Sequence, residues 1–367
     1  MRFTHLLKAG MVCNVHLLKE GLFAMKRNKL AQASLSALMG IVICGVLLAG
    51  CGGGSGSTGS NVSGCTTLPK LAKKAHYKVG FSQEVTDSPW RVTETSSIKD
   101  EATKRGDQVI VTDAQNSDSK QVSDIQSLIA QHPDVLIIAP LTEKGEVSAI
   151  KQAKAACIPV ILVDRDADHS IIQPGKDYVT FIGSDFVQQG KRAADWLIQA
   201  THGKAKIIEL EGTTGSTPAN LRKKGFNDEI ASNSGMQIIA SQDANFERAT
   251  ALKTMQTLLQ SHPDVTAVYA HNDEMAMGAI QALKAAGKHP GKDVLVCSID
   301  GENDALKAIM SGEEGTSVQS NPRFGPISFD TIDKYASGQS IEPWIVIKDN
   351  QYTKENATQA FNQGLGF

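Results

Sequence analysis

The chain has 367 residues, of which 41% are hydrophobic, 21% charged and 5% aromatic. This length and apolar content suit two domains of ordinary size, and they exclude a disordered or collagen-like chain. The formal net charge of −2 gives no basic surface for nucleic acid, so we expect no nucleic-acid partner. The charge is uneven, because residues 1–50 hold six basic residues and one acid, which leaves a net charge of −7 on the remainder. The two parts therefore call for separate interpretations.

The N-terminal part has the layout of an export signal. A basic segment begins at Met25, an apolar run covers residues 35–48, and Leu48-Ala49-Gly50 precedes Cys51. A basic region, an apolar region and small residues at the cleavage position describe a secretory signal. A cysteine directly after Leu-Ala-Gly resembles the bacterial lipobox. We therefore expect residues 1–50 to be a lipoprotein signal peptide, with Met25 a better start than Met1, and Cys51 to carry the lipid.

The residues after Cys51 favour the lipoprotein over its alternative. Residues 52–60 are all glycine, serine or threonine, a composition typical of a flexible tether. The alternative is a single transmembrane helix over residues 30–50, which has about the length that a membrane span needs. We expect residues 51–74 to be the lipidated cysteine and a flexible linker.

Three cysteines remain in the exported part, and they indicate no disulfide framework. Cys65, Cys157 and Cys297 are an odd number, and the last two lie in or beside apolar stretches. We therefore expect Cys157 and Cys297 to be buried thiols. No spacing predicts a metal site, since the calcium-loop pattern that opens at Asp164 lacks its required glycine and glutamate.

From residue 77 onward, short apolar runs alternate with longer amphipathic ones. This alternation predicts βαβ units and parallel sheets covered on both faces. Residues 128–135 recur as residues 258–265, each copy containing His-Pro-Asp, and this repeat predicts two similar doubly wound α/β lobes. The predicted strands are residues 77–82, 108–112, 135–139, 159–163, 179–183, 206–211, 237–240, 267–270, 294–299 and 316–318, and the predicted helices are residues 122–130, 187–200, 246–259 and 274–286.

Polar side chains follow several of these strands. In open parallel sheets, ligands bind beyond the carboxyl ends of the strands. Any one such residue could merely cap a helix, but planar polar groups at successive strand ends favour a ligand site. Asp, Asn, Gln and Arg can each bond two neighbouring hydroxyls of a sugar, and an aromatic ring can cover its C–H face. The strand-end candidates are Asp164, Arg165, Asn272, Asp300 and Gln319, with Trp90 and Phe246 as candidate rings.

Seven motifs resemble the periplasmic sugar-binding proteins of the ribose/galactose family, the substrate-binding components of ABC transporters. The resemblance runs from about residue 77 to the C-terminus. The motifs are Val79-Gly80-Phe81-Ser82-Gln83, Ser88-Pro89-Trp90-Arg91, Leu162-Val163-Asp164-Arg165, Glu209-Leu210-Glu211-Gly212, Arg222-Lys223-Lys224-Gly225-Phe226, Val268-Tyr269-Ala270-His271-Asn272-Asp273-Glu274-Met275 and Ser298-Ile299-Asp300-Gly301.

The resemblance implies a type I periplasmic binding protein fold, in which two lobes joined by a three-strand hinge close on the ligand. It implies an N-terminal lobe of residues 75–184 plus 320–344 and a C-terminal lobe of residues 185–319 plus 345–367. The implied crossings lie near Ser184-Asp185, Gln319-Ser320 and Trp344.

The resemblance also implies the ligand-binding residues. They are Ser88, Trp90, Arg91, Asp164 and Arg165 on the first lobe, Arg222, Phe246, Asn272 and Asp300 on the second, and Gln319 at the hinge. Arg91 departs from the ribose pattern and agrees with the galactofuranose one, whereas Gln319 matches the ribose pattern. The expected ligand is therefore a galactofuranose-like hexose or a pentose.

The implied function is an extracytoplasmic lipoprotein that delivers a monosaccharide to a permease and its ATPase. The protein is expected to be a monomer on the outer face of the cytoplasmic membrane or in the periplasm, without a cofactor. It is not expected to be an enzyme, because the sequence has no Gly-x-Ser-x-Gly, His-Glu-x-x-His or Walker motif. The alternative is the sugar-binding component of a chemoreceptor or sensor.

Overall fold

The computed structural model describes residues 64–367. The predicted signal peptide, the lipid on Cys51 and most of the predicted linker lie outside these residues. Within residues 64–367, no helix combines the length and the apolar character that crossing a membrane requires. In chain order the elements are β1 (Lys78–Gln83), α1 (Pro89–Arg105), β2 (Gln108–Asp113), α2 (Asp118–Ala130), β3 (Val135–Ile138), α3 (Val147–Ala155), β4 (Val160–Val163), β5 (Thr180–Ser184), α4 (Phe186–Thr201), β6 (Ala205–Glu211), α5 (Thr217–Ile230), β7 (Met236–Asp243), α6 (Arg248–Ser261), β8 (Ala267–Ala270), α7 (Asp273–Ala285), β9 (Leu295–Asp300), α8 (Asn303–Ser311), β10 (Thr316–Gln319), α9 (Gly325–Ala336), β11 (Trp344–Ile347), β12 (Gln351–Thr353) and α10 (Ala357–Asn362).

The first lobe is built on a parallel sheet in the order β11-β5-β4-β3-β1-β2. Successive side chains of a strand point to opposite faces. On β3, Val135 packs with α1 and α9, and Leu136 packs with α2 and α3. Because helices cover both faces, every residue of β3 is buried, which explains its unbroken apolar sequence.

The second lobe repeats this order as β12-β10-β9-β8-β6-β7. The sheet is parallel except for β12, which runs antiparallel to β10. Helices α6 and α7 cover one face and α4 and α5 the other. Two doubly wound α/β lobes with matching strand order confirm the predicted fold class.

The His-Pro-Asp repeat has the same structural role in both lobes. It follows α2 in the first lobe and α6 in the second, and each copy leads into the next strand. The Asp134 carboxylate accepts from the backbone N–H of Lys78 at 2.9 Å, and Asp264 forms an ion pair with Lys206. Each aspartate thus ties the turn to the start of a central strand, β1 or β6.

The chain crosses between the lobes three times, and the third crossing differs from the prediction. The chain passes into the second lobe after β5 and back into the first after β10. The prediction placed residues 345–347 in the second lobe, but β11 pairs in parallel with β5, from Trp344 beside Phe181 to Ile347 beside Ser184. The apolar segment 344–347 extends the first sheet, so the chain can cross only after this strand ends, between β11 and β12.

Helices α4 and α5 pack against each other unusually closely. A Cβ atom on Gly190 of α4 would lie 2.2 Å from the carbonyl oxygen of Arg222. A Cβ atom on Gly225 of α5 would lie 2.1 Å from the carbonyl oxygen of Val187. The two glycines therefore allow the helix backbones to touch.

A disulfide joins Cys65 to Cys157, whose Cα atoms are 5.2 Å apart. The expectation of a buried thiol at Cys157 was wrong: the residue follows the end of α3, is exposed, and has a φ of +61°. Cys65 reaches it because its backbone N–H donates to the carbonyl of Ala155 at 3.2 Å. Cys297 is buried, as expected, and has no disulfide partner within residues 64–367.

Candidate functional site

The carboxyl ends of the central strands of both sheets face a cleft between the lobes. The cleft contains about 540 Å³ of space between protein atoms, a figure that includes the solvent at its open mouth. Nine of the ten predicted ligand-binding residues line it, namely Ser88, Trp90, Arg91, Asp164, Arg165, Arg222, Phe246, Asn272 and Asp300. The wall also includes Glu84, Val85, Asp87, Asn116, Thr213, Pro218, Asn245 and Glu247, which the prediction left out.

Gln319 is the predicted residue that the described structure keeps out of the cleft wall. Its side-chain oxygen accepts from the side chain and the backbone N–H of Asn350, at 2.8 and 3.2 Å. Its carbonyl accepts from Gln189 Nε2 at 3.2 Å. Gln319 therefore joins the second and third crossings, because its side-chain oxygen bonds Asn350, which lies between β11 and β12.

The first-lobe wall is a buried network of charges around Arg91. Ser88 caps α1 and accepts from the backbone N–H of Arg91 at 3.3 Å. The Arg91 guanidinium contacts Asp164 at 2.7 Å, Glu84 at 2.5 Å and Glu94 at 2.9 Å. Its central carbon also lies 4.5 Å from the centre of the Trp90 ring. Residues of the first lobe alone therefore hold Arg91 in place and balance its charge.

Arg165 extends this network toward the second lobe. Its Nη1 donates to Glu84 at 2.6 Å and to the carbonyl of Leu141 at 2.7 Å. Its buried Nε has no hydrogen-bond acceptor among the described residues. A buried donor without an acceptor is costly, so this N–H is available to a ligand oxygen.

Glu84 is the central residue that the sequence analysis missed. It directly follows β1, is almost fully buried, and bridges Arg91 and Arg165. Burial raises the pKa of Glu84, opposed by the two arginines. Its position gives the signal that could have identified it. β1 ends at Gln83, so Glu84 is the first polar residue beyond the carboxyl end of that strand.

Glu94 lies behind Arg91 and titrates near neutral pH. Burial raises its pKa to about 7, opposed by Arg91. Gln83 Nε2 donates to one carboxylate oxygen at 2.8 Å, while the other oxygen has no partner among the described residues. The protonation state of Glu94, beside the first-lobe wall, therefore changes around neutral pH.

Arg222 organises the second-lobe wall from helix α5. Its Nε donates to Gln189 at 2.9 Å and its Nη1 to the carbonyl of His271 at 2.6 Å. Its Nη2 contacts Asp300 at 3.4 Å. Burial raises the pKa of Asp300 well above its usual value, opposed by Arg222. The pair thus presents both a donor and an acceptor to the cleft.

Asn272 serves both as a helix cap and as part of the cleft wall. Its side-chain oxygen accepts from the backbone N–H of Met275 at 3.0 Å and so caps α7. Its Nδ2 donates to the carbonyl of Phe246 at 3.2 Å. The capping interpretation of strand-end residues is therefore correct here, and it does not exclude a place in the site.

Phe246 owes its position to a tight turn after β7. Asn245 and Phe246 have φ values of +57° and +61°, and Asp243 accepts from the backbone N–H of Asn245 at 2.7 Å. The prediction placed Phe246 inside a helix, but α6 begins at Arg248, because residues with positive φ cannot continue a right-handed helix. A Cβ atom on Gly212 would lie 1.9 Å from the ring, so the ring rests directly on this backbone.

The lobes touch each other at the cleft mouth, away from the crossings. The backbone N–H of Glu143 donates to the carbonyl of Gly215 at 3.0 Å. The hydroxyl of Thr217 donates to the carbonyl of Asp166 at 3.0 Å and accepts from its N–H at 3.1 Å. The structure is therefore a closed arrangement of the lobes, in which both walls face the same cleft.

No metal site is apparent in residues 64–367, since no three His, Cys, Asp or Glu side chains there are grouped to hold an ion. The cleft offers planar donors and acceptors from both lobes together with one aromatic ring from each. Such a surface can bind a small, polyhydroxylated molecule by paired hydrogen bonds and ring contacts.

Residues 79–340 match the family described as periplasmic binding protein domain. The chain is 37% identical over 297 residues to the galactofuranose-binding protein of Escherichia coli (strain K12), covering 80% of this chain and 92% of that protein. It is 35% identical to the ribose import binding protein of Bacillus subtilis (strain 168), covering 74% and 86%.

A solved structure agrees with these relatives. The periplasmic binding protein of the arabinose ABC transporter from Shewanella sp. ANA-3, bound to α- and β-L-arabinofuranose, is 38% identical with a TM-score of 0.75, and the match covers 78% of this chain and 95% of that one. These relatives are binding proteins and not enzymes, in agreement with the expectation for this chain. A family match over most of the sequence, supported by the same fold and by identities above 30%, means that the chain belongs to the periplasmic binding protein family.

Proposed function

We propose that this protein binds a monosaccharide between its lobes and delivers it to the permease and ATPase of an ABC transporter. The observation that carries the proposal is the composition of the cleft wall. Asp164 and Arg165 from one lobe and Arg222, Asn272 and Asp300 from the other converge on one volume. Each of these planar groups can bond two adjacent hydroxyls, which suits the edge of a sugar ring.

The sugar is expected to bind the closed form of the protein more tightly than the open form. A sugar can contact Asp164 and Asp300 together only when the lobes are closed, so its binding stabilises that state. Trp90 and Phe246 supply an aromatic ring from each lobe for the C–H surfaces of the sugar. The remaining wall residues, Ser88 and Arg91, complete the first-lobe side. The protein acts as a monomer in this proposal, since the site is complete within one chain.

The proposed ligand is a sugar in the furanose ring form, either a galactofuranose-like hexose or a pentose. The E. coli relative is named for galactofuranose, and the Shewanella structure holds arabinofuranose. Between these two, Arg91 favours the hexose, because it departs from the ribose pattern and agrees with the galactofuranose one. Its fixed donors suit a ligand with more hydroxyls than ribose has.

A thermal-shift screen tests the sugar proposal. Equilibrated solutions of D-galactose, L-arabinose and D-ribose, which contain furanose forms, are compared with acyclic mannitol as the control. At least one sugar is expected to raise the melting temperature, since a ligand at 100 times its dissociation constant stabilises by about 2.7 kcal/mol. Calorimetry then gives the affinity. A screen in which every sugar at millimolar concentration behaves like mannitol would exclude the proposal.

We also propose that the protein is exported and anchored through lipid on Cys51. The disulfide between Cys65 and Cys157 supports export, because disulfides persist in oxidising compartments. The serine- and glycine-rich residues after Cys51 would let the folded part extend from the membrane surface.

Replacing Cys51 with serine is expected to remove lipid labelling and to release the protein from the membrane fraction. The reason is that the thiol is the only group at this position able to form the thioether. Cys44→Ser, in the segment expected to be removed, is the matched control and should label normally. Metabolic labelling with palmitate and membrane fractionation measure both. Labelling that survives in Cys51→Ser would show that the lipid assignment is wrong.

A further inference from the structure

Three carboxyl groups are buried in the second lobe behind the strand end that carries Asp300. They belong to Asp273 at the start of α7, Glu302 after β9 and Glu314 before β10. No lysine, arginine or histidine in residues 64–367 forms an ion pair with any of them. Buried carboxylates without cations are costly, so some of these groups must hold protons.

Hydrogen-bond counting locates one of the protons. The Ser298 hydroxyl contacts both Asp273 Oδ1 and Glu314 Oε1. A hydroxyl has one proton to donate, and an ionised carboxylate can only accept. One of the two acids must therefore be protonated and donate to the oxygen of Ser298.

The surroundings assign that proton to Glu314. Asp273 accepts from the Ser317 hydroxyl at 2.7 Å and from the backbone N–H of Glu302 at 2.6 Å, which favours its ionised form. Glu314 Oε2 has no partner among the described residues. In agreement with this, burial raises the pKa of Glu314 well above its usual value, but raises that of Asp273 only to about 6.

Asp273 in turn holds the backbone that follows Asp300. It accepts from the N–H of Glu302, and the hydroxyl of Ser317, which donates to Asp273, accepts from the N–H of Gly301 at 2.9 Å. Asp300 has a φ of +138°, a conformation that non-glycine residues rarely adopt and that persists only when the surroundings enforce it.

We propose that Glu314 is a protonated positioning residue for the ligand site. The chain of hydrogen bonds Glu314–Ser298–Asp273 keeps Asp300 in the orientation that binds the sugar. This inference rests on the proposed function in that Asp300 is taken as a sugar ligand. Loss of the proton places two carboxylates on Ser298 without a cation, so the strand end shifts and affinity falls.

The effect of pH on stability depends on the titratable and charged groups that face the hydrogen-bond chain Glu314–Ser298–Asp273. They are the acids Asp273, Glu302 and Asp300 and the thiol of Cys297, with Glu274 beside Glu302 and Arg222 paired to Asp300. Above the ordinary pKa of glutamate, the folded protein retains a proton on Glu314 that the unfolded chain has lost. Stability is therefore greatest at low pH with respect to this group and declines as the pH rises toward its folded pKa.

Glu314→Gln tests the proposal, because glutamine stays neutral at every pH and can still donate to Ser298. Unfolding without sugar and calorimetric binding of D-galactose are measured from neutral to alkaline pH. The wild-type affinity is expected to fall by about tenfold for each unit that the pH rises above the folded pKa of Glu314, and the variant should lack this fall. Glu313→Gln, a change on the adjacent surface residue paired with Lys284, is the control and should behave as wild type.

The two measurements separate the possible results. Unfolding profiles that stay parallel in wild type and Glu314→Gln overturn the assignment of the proton, whether or not a sugar binds. Different unfolding profiles with parallel affinity profiles overturn the positioning role. If D-galactose does not bind at any pH, binding of L-arabinose and D-ribose is measured in the same way. The proposed function fails if none of the three binds, while the unfolding profile still decides the proton. Should Glu314→Gln fail to fold, Ser298→Ala breaks the same chain, and unchanged affinity in that variant overturns the proposal.

Discussion

Replacing Asp300 with alanine is expected to reduce sugar affinity by about thirtyfold or more, since removing one member of a buried charge pair costs about 2–5 kcal/mol. The change takes away a carboxylate that can bond two hydroxyls. It also leaves the Arg222 guanidinium, which contacts Asp300 at 3.4 Å, without its counter-charge in the cleft wall. Calorimetric titration with D-galactose measures the loss. Asp164→Ala should cause a loss of similar size from the first lobe, because Asp164 pairs with Arg91 at 2.7 Å.

Asp304→Ala is the matched control for this experiment. Asp304 lies in the first turn of α8, close in sequence to Asp300, but it is partly exposed and pairs with Arg248 and Lys307 outside the cleft wall. Its removal should leave affinity unchanged. If Asp300→Ala and Asp164→Ala both bound sugar like Asp304→Ala, the assignment of the ligand site would be wrong.

Removing the disulfide with Cys65→Ser is expected to lower the free energy of unfolding by about 2–4 kcal/mol. The bond joins residues 92 positions apart, so it strongly restricts the unfolded chain. Denaturant unfolding of Cys65→Ser, Cys157→Ser and the double variant measures the effect. Affinity for sugar should change little, because neither cysteine lines the cleft.

The double variant provides the internal control. Both single changes break the same bond, so the losses should not add, and wild type under reducing conditions should match the variants. Thiol titration of unfolded residues 64–367 should give one free thiol before reduction, from Cys297, and three afterwards. Additive losses, or a single variant as stable as wild type, would contradict this account.

The sequence predicted those features of the fold and of the cleft wall that depend on residues close together in the chain. Apolar segments such as β3 require cover on both faces, which indicated the α/β layers. The positions of Asp164 and Asp300 in the cleft wall could be predicted, because parallel strands place their carboxyl ends at one edge. Glu84 obeys the same rule and was overlooked. Gln319 also ends a strand, but its side-chain oxygen bonds Asn350. That contact joins residues 31 positions apart, so the sequence around Gln319 could not predict it.

The features that escaped prediction depend on residues distant in the chain. Cys65 and Cys157 meet because the segment before β1 runs to the end of α3, and an odd cysteine count concealed the pair. The third crossing was misplaced because residues 345–347 pair with β5, more than 150 residues away. The orientation of Phe246 depends on a turn with positive φ that resembles a helix start in sequence.

The close contact between α4 and α5 determines how far the Arg222 side chain reaches into the ligand site. Arg222 is carried on α5, and its own carbonyl lies where a side chain on Gly190 would begin. A methyl group at Gly190 or Gly225 would push α5 outward and withdraw the guanidinium from the cleft. Gly190 and Gly225 therefore govern where Arg222 lies relative to the cleft, although neither glycine lines the cleft itself.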